Sequence, residues 1–175
     1  MATKARANPP PTHTGNVIRD SALGQVPETV EEVIALNGAV WQSSLVSPTL
    51  LEMVRLRNAR TVNCVFCKAV RYEVARNDGL TEERAQLIDA NYQHSSLSRR
   101  EKLAIALADS YLGFPAGVRP ELAADLAAEF TPAQIAALLV ALMTFNFTSR
   151  TAVSIGGMPE DPLPVMVLPI SATTA

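Results

Sequence analysis

Cys64 and Cys67 are the only cysteines in the 175-residue chain, and just two residues separate them, in Asn63-Cys64-Val65-Phe66-Cys67-Lys68. Asn63 is a favoured helix N-cap residue, and good helix formers follow it. That predicts a helix opening at Asn63, with both cysteines on one face near its start. Free backbone N–H groups and the positive end of the helix dipole favour an anion there, and a thiolate is such an anion. A free cysteine ionises near pH ~8.5, and helix starts and cationic neighbours lower this to roughly 3.5–7.5. Lys68 and Arg71 are cationic neighbours by spacing, and Arg71, four residues after Cys67, shares its helical face. The spacing also lets the two sulfurs close into a disulfide, so two-electron redox chemistry needs no other residue.

Two blander readings compete. Free cysteines are often small buried hydrophobes. A Cys-x-x-Cys pair can also be half of a zinc site, but zinc needs two further ligands, and His13, His94 and the carboxylates do not stand at ligand spacing. No metal and no cofactor is therefore expected. Two cysteines are too few for a secreted disulfide framework, which points to a reducing, cytoplasmic setting. The net charge of −2 gives no basic footprint for nucleic acid. The longest apolar run, residues 135–147, falls short of the ~20 residues of a membrane span, so no membrane partner is expected.

The elements that must hold the pair read as helices. Apolar positions recur with helical period, and no stretch alternates with period two. Helices are expected over residues 26–42, 48–59, 63–77, 80–90, 98–113, 119–130 and 131–155. Ser98 with Glu101 and Thr131 with Gln134 are capping-box pairs, and Gly79 is a left-handed stop. The fold class is all-α with six or seven helices. Residues 1–20 read as a disordered arm, 21–157 as the helical domain, and 158–175 as an extended proline-rich tail. Trp41, Phe66, Tyr72, Phe145 and Phe147 read as core or interface, and His94 as a solvated loop residue. Glu52 is the only carboxylate of the helix from residue 48, and on spacing alone it is an exposed helix carboxylate paired with Arg55 or another basic neighbour.

The stretches Leu50-Leu51-Glu52-Met53-Val54-Arg55-Leu56-Arg57, Asn63-Cys64-Val65-Phe66-Cys67, Gly79-Leu80-Thr81-Glu82-Glu83 and Glu101-Lys102-Leu103-Ala104 resemble the carboxymuconolactone decarboxylase superfamily. More narrowly they resemble its AhpD-like alkylhydroperoxidase branch. The family pattern is Glu, eleven residues, Cys, two, Cys, three, His. Glu52, Cys64 and Cys67 fill the first three positions, and Arg71 stands where the family has histidine. The decarboxylase branch generally lacks the cysteine pair.

The resemblance implies an AhpD-like helical fold in a homo-oligomer, a trimer or hexamer. It implies a thiol peroxidase whose substrate is a hydroperoxide and whose partner is a thiol reductant. A thiolate attacks the peroxide, becomes a sulfenic acid and condenses with the other cysteine to a disulfide. The family gives Glu52 the role of proton acceptor, in a relay with the histidine. Arginine stays protonated and cannot be a general base, though it can stabilise a thiolate. Either Glu52 works alone or the activity is weak or lost. The family usually assigns attack to the second cysteine, whereas the helix-start argument favours Cys64; the assignment stays open. Two other readings remain. One is a lyase acting on a small carboxylated lactone, with Arg71 or Arg57 gripping the carboxylate. The other is a non-catalytic redox-sensing oligomer.

Overall fold

The computed structural model describes residues 4–170; expectations for residues 1–3 and 171–175 lie outside the described residues. Eight α-helices and one two-stranded sheet make up the described part. In chain order they are α1 (Pro27–Gln42), α2 (Pro48–Val62), α3 (Val65–Ala69), β1 (Val70–Tyr72), α4 (Glu73–Asn77), α5 (Glu82–Gln86), α6 (Arg99–Leu112), α7 (Pro120–Glu129), α8 (Pro132–Ile155) and β2 (Met166–Leu168). The two 3-10 turns are Ala22–Gln25 and Tyr92–His94.

Helix α2 is the axis of the molecule and packs against α8 on one side and α6 on another. Its Leu51, Met53, Val54, Leu56 and Ala59 are fully or almost fully buried, as are the polar Glu52 and Asn58. Facing them are Ala104, Ile105, Leu107 and Ala108 of α6, and Leu138, Ala141, Leu142 and Phe145 of α8. Asn58 bonds across to α8 through the Phe145 carbonyl (3.1 Å) and the Ser149 hydroxyl (3.0 Å), and Asn146 donates back to it. The expected capping boxes open α6 at Ser98 and α8 at Thr131. Helix α8 has 24 residues and is long and apolar enough, by length and composition alone, to cross a membrane. Its inner side chains pack on α2.

The expected helix start at Asn63 is corrected by the structure. Helix α2 does not stop near Ala59 but runs to Val62, and Asn63 turns it with φ 58° and ψ 38°. The Cys64 N–H bonds the Ala59 carbonyl and the Asn63 N–H the Arg60 carbonyl, which is a Schellman ending with Asn in the left-handed position. Asparagine serves both as an N-cap and as a left-handed stop, because its short amide replaces lost backbone bonds in either place.

The single helix expected over residues 63–77 is also corrected. It breaks into α3, β1 and α4, which raises the helix count from six or seven to eight. The break falls at Val70, whose backbone is extended (φ −71°, ψ 140°). Val70, Arg71 and Tyr72 pair in parallel with Met166, Val167 and Leu168. The fold is thus mainly helical rather than all-α, and strands of three residues are too short to show an alternation in sequence. The helix expected to reach residue 90 ends at Gln86, where Arg60 takes the carbonyls of Ala85 and Ile88.

Residues 4–20, expected as a disordered arm, are irregular and tied back. The Arg6 N–H reaches the Ile155 carbonyl (2.7 Å), and Arg19 pairs with Glu31 of α1. Residues 158–170 contain no helix and carry β2. Because Asn63 sits where a branched side chain is strained, Asn63→Gly should leave stability within about 0.5 kcal/mol, and Asn63→Val should cost about 1–2 kcal/mol. Urea midpoints at constant slope check this.

Candidate functional site

The redox turn is built between two fixed ends. Cys64 is the N-cap of α3, and its Sγ accepts the Cys67 N–H at 3.2 Å. A disulfide joins Cys64 to Cys67, with Cα atoms 5.2 Å apart. Cys64 is wholly buried and Cys67 half-buried. Phe66, between them in sequence, is 44% exposed. Lys68, expected beside the thiolate, donates to the Asn63 side chain (2.8 Å). Helix α3 has only five residues, so its dipole is far weaker than that of the long helix the sequence suggested.

Glu52 is completely buried, on the side of α2 that faces this turn. Its two oxygens accept from Arg55, Oε2 from Nε at 2.6 Å and Oε1 from Nη2 at 2.7 Å. The Tyr72 N–H approaches Oε1 at 3.4 Å. Arg55 then reaches the redox turn itself: Nη1 donates to the Cys67 carbonyl (2.7 Å) and Nη2 to the Val70 carbonyl (2.6 Å). Burial alone would push the Arg55 guanidinium down, but the charge and hydrogen bonds of Glu52 outweigh it, and the pKa lies above its ordinary value. Burial likewise lifts the Tyr72 phenol. The Tyr72 ring covers Arg55 at 5.5 Å and stacks on Trp41 at 4.5 Å.

Arg71 does not share a helical face with the cysteines, because it lies on β1. It is 5% exposed. Nε and Nη2 grip Glu82 at 3.0 and 2.8 Å, and Nη1 donates to the Lys68 and Val70 carbonyls, both at 2.8 Å. The structure therefore brings Cys64 and Cys67 together, places Glu52 behind them through Arg55, and turns Arg71 to the back of the turn. Sequence reasoning treated Arg55 only as a neighbour for Glu52, and Glu82 only as a helix-start residue. The available signal was Glu52-x-x-Arg55 inside a helix with Leu50, Leu51, Met53, Val54 and Leu56, where both charges must be buried together. His13 and His94 are exposed, and no group of metal ligands occurs among the described residues.

No family model matches the chain. Two uncharacterized proteins of Mycobacterium tuberculosis, from strains CDC 1551 and H37Rv, are 30% identical to it over 118 residues. That match covers 67% of this chain but only 41% of the relatives' length. Among solved structures, a protein of unknown function from Agrobacterium tumefaciens, a candidate antioxidant defence protein AhpD, superposes with a TM-score of 0.66. It is 24% identical, over 75% of this chain and 90% of that one. The debrominase Bmp8 superposes with a TM-score of 0.68 both without ligand and, as a cysteine-to-alanine variant, in complex with 2,3,4-tribromopyrrole. Identity there is 14–15%, over 81% of this chain and 76% of the debrominase. The protein shares the helical fold of this candidate AhpD and of the debrominase.

The Arg71–Glu82 pair gives a pH signature. Its hydrogen bonds with Arg71 hold the Glu82 carboxyl below the ordinary carboxylate range. A carboxyl whose folded pKa is lowered adds stability above its unfolded pKa and loses it as pH falls through the folded one. Unfolding midpoints should therefore fall between about pH 5 and pH 3, and less steeply in Glu82→Gln.

Proposed function

We propose that the protein is a thiol-dependent peroxidase of the AhpD-like kind, cycling Cys64 and Cys67 between dithiol and disulfide. One observation carries this reading: the sulfurs are within bonding distance on a single turn, Cys67 being half-buried and Cys64 wholly buried. Likeness of fold to a candidate antioxidant defence protein supports it.

The unequal exposure of the two cysteines supports one order of steps. Cys67, the reachable one, loses its proton and attacks the hydroperoxide. The O–O bond breaks, Cys67 becomes a sulfenic acid, and the alkoxide takes a proton from water and leaves as the alcohol. Cys64 then attacks the Cys67 sulfur, a disulfide forms and water departs. Two external thiols return the pair to the dithiol and leave as their own disulfide. The Cys67 N–H stabilises charge on Cys64 whenever that sulfur is the leaving group. A lyase would need a free arginine to grip a carboxylate. Arg71 is held by Glu82, and Arg57 by Asp109 at 2.5 and 3.1 Å. Val140, Met143 and Phe147 form one exposed apolar stripe along α8, which supports a homo-oligomer; the cytoplasmic setting stays an inference from cysteine usage.

Peroxide consumption with dithiothreitol tests the reading. The wild-type chain should turn over. Cys67→Ser should abolish reaction, and Cys64→Ser, assayed without dithiothreitol, should consume one equivalent and yield a dimedone adduct on Cys67. Undiminished turnover in the double variant, or an adduct on Cys64 instead, would overturn the assignment.

A further inference from the structure

Both cysteines are tethered to the same helix, one turn apart. The Cys64 N–H bonds the carbonyl of Ala59, and the Cys67 carbonyl accepts from Arg55. Residues 55 and 59 are neighbours along one face of α2. An isolated five-residue helix such as α3 is unstable in water, and its last carbonyls lack intrahelical partners. Here those carbonyls are taken from both sides, Cys67 and Val70 by Arg55, and Lys68 and Val70 by Arg71.

We propose that Arg55 is a positioning residue for the thiol–disulfide couple. By fixing the main chain at Cys67 and Val70 it keeps the Cys67 sulfur within bonding reach of Cys64 after reduction, and Glu52 is the anchor that aims the guanidinium. This rests on reading the pair as a redox couple, but it concerns the equilibrium of that couple and not the peroxide step. The exchange is two thiols plus the protein disulfide giving one external disulfide plus the protein dithiol. Its equilibrium depends on the effective concentration of one sulfur at the other, which is high when the reduced turn stays closed. Freeing the Cys67 carbonyl lets α3 fray, separates the sulfurs and favours the dithiol.

The test equilibrates wild type, Arg55→Met, Arg55→Lys and Glu52→Gln in glutathione buffers and counts free thiols by alkylation and mass spectrometry. Arg55→Met should shift the equilibrium about tenfold towards the dithiol, about 30 mV in midpoint. Arg55→Lys, which cannot hold a carboxylate and two carbonyls together, should shift it the same way by less, and so should Glu52→Gln. Asn58→Ala, on the same helix but touching neither cysteine nor Arg55, should lower Tm and leave the midpoint in place. Should Arg55→Met fail to fold, the Arg55→Lys and Glu52→Gln midpoints decide. Midpoints of those variants within twofold of wild type overturn the proposal, as does an equal shift in Asn58→Ala. Peroxide is absent from this measurement, so a chain without peroxidase turnover sinks the functional reading while the midpoints still judge Arg55.

Discussion

The ion pair between Glu52 and Arg55 is the constraint on which the site depends. Taking two charges out of water costs several kcal/mol per ion, and the attraction between them offsets this only when their remaining hydrogen-bonding groups are also satisfied. Glu52 uses both oxygens on Arg55. Arg55 still has donors left, and it finds acceptors in the end of α3. Each partner thus solves the other's problem. A longer α3 would consume the Val70 carbonyl internally and strand the guanidinium, while an α2 without Arg55 would leave the short turn unsupported.

That reciprocity explains why the cysteine turn is so short. Asn63 ends α2 in a left-handed step, Cys64 starts α3 at once, and β1 ends it five residues later. Arg71 and Glu82 repeat the same device nearer the surface. The sulfurs therefore sit on a loop-sized element with the backbone discipline of a helix. Cys64 is wholly buried, and Cys67 is half-buried.

Much of the frame was legible in the sequence. The capping boxes at Ser98 and Thr131, the prolines opening α1, α2, α7 and α8, and the paired glycines after Ile155 mark helix ends by local chemistry alone. The Cys-x-x-Cys spacing was likewise readable, whereas spacing alone read Glu52 as an exposed carboxylate and the structure buries it. What could not be read was set by distant partners. Asn63 suits a start or a stop equally, and only the packing of α2 decides between them. Val70 to Tyr72 leave the helix because Met166 to Leu168 lie alongside and Arg55 claims the Val70 carbonyl. Arg71 therefore leaves the cysteine face for a reason that no window around residue 71 contains. Arg55 was visible only as a partner for a carboxylate, since its contacts with the turn depend on how that turn folds.

The parallel ladder between β1 and β2 has a consequence for how the molecule comes into being. The strand that flanks the cysteine turn cannot be completed until β2 has left the ribosome, after the eight described helices have been made. Contacts so far apart in sequence form late, because a long loop must first be closed. Until β2 arrives the two thiols thus belong to an unfinished turn, and their setting is completed only after α8 has been made.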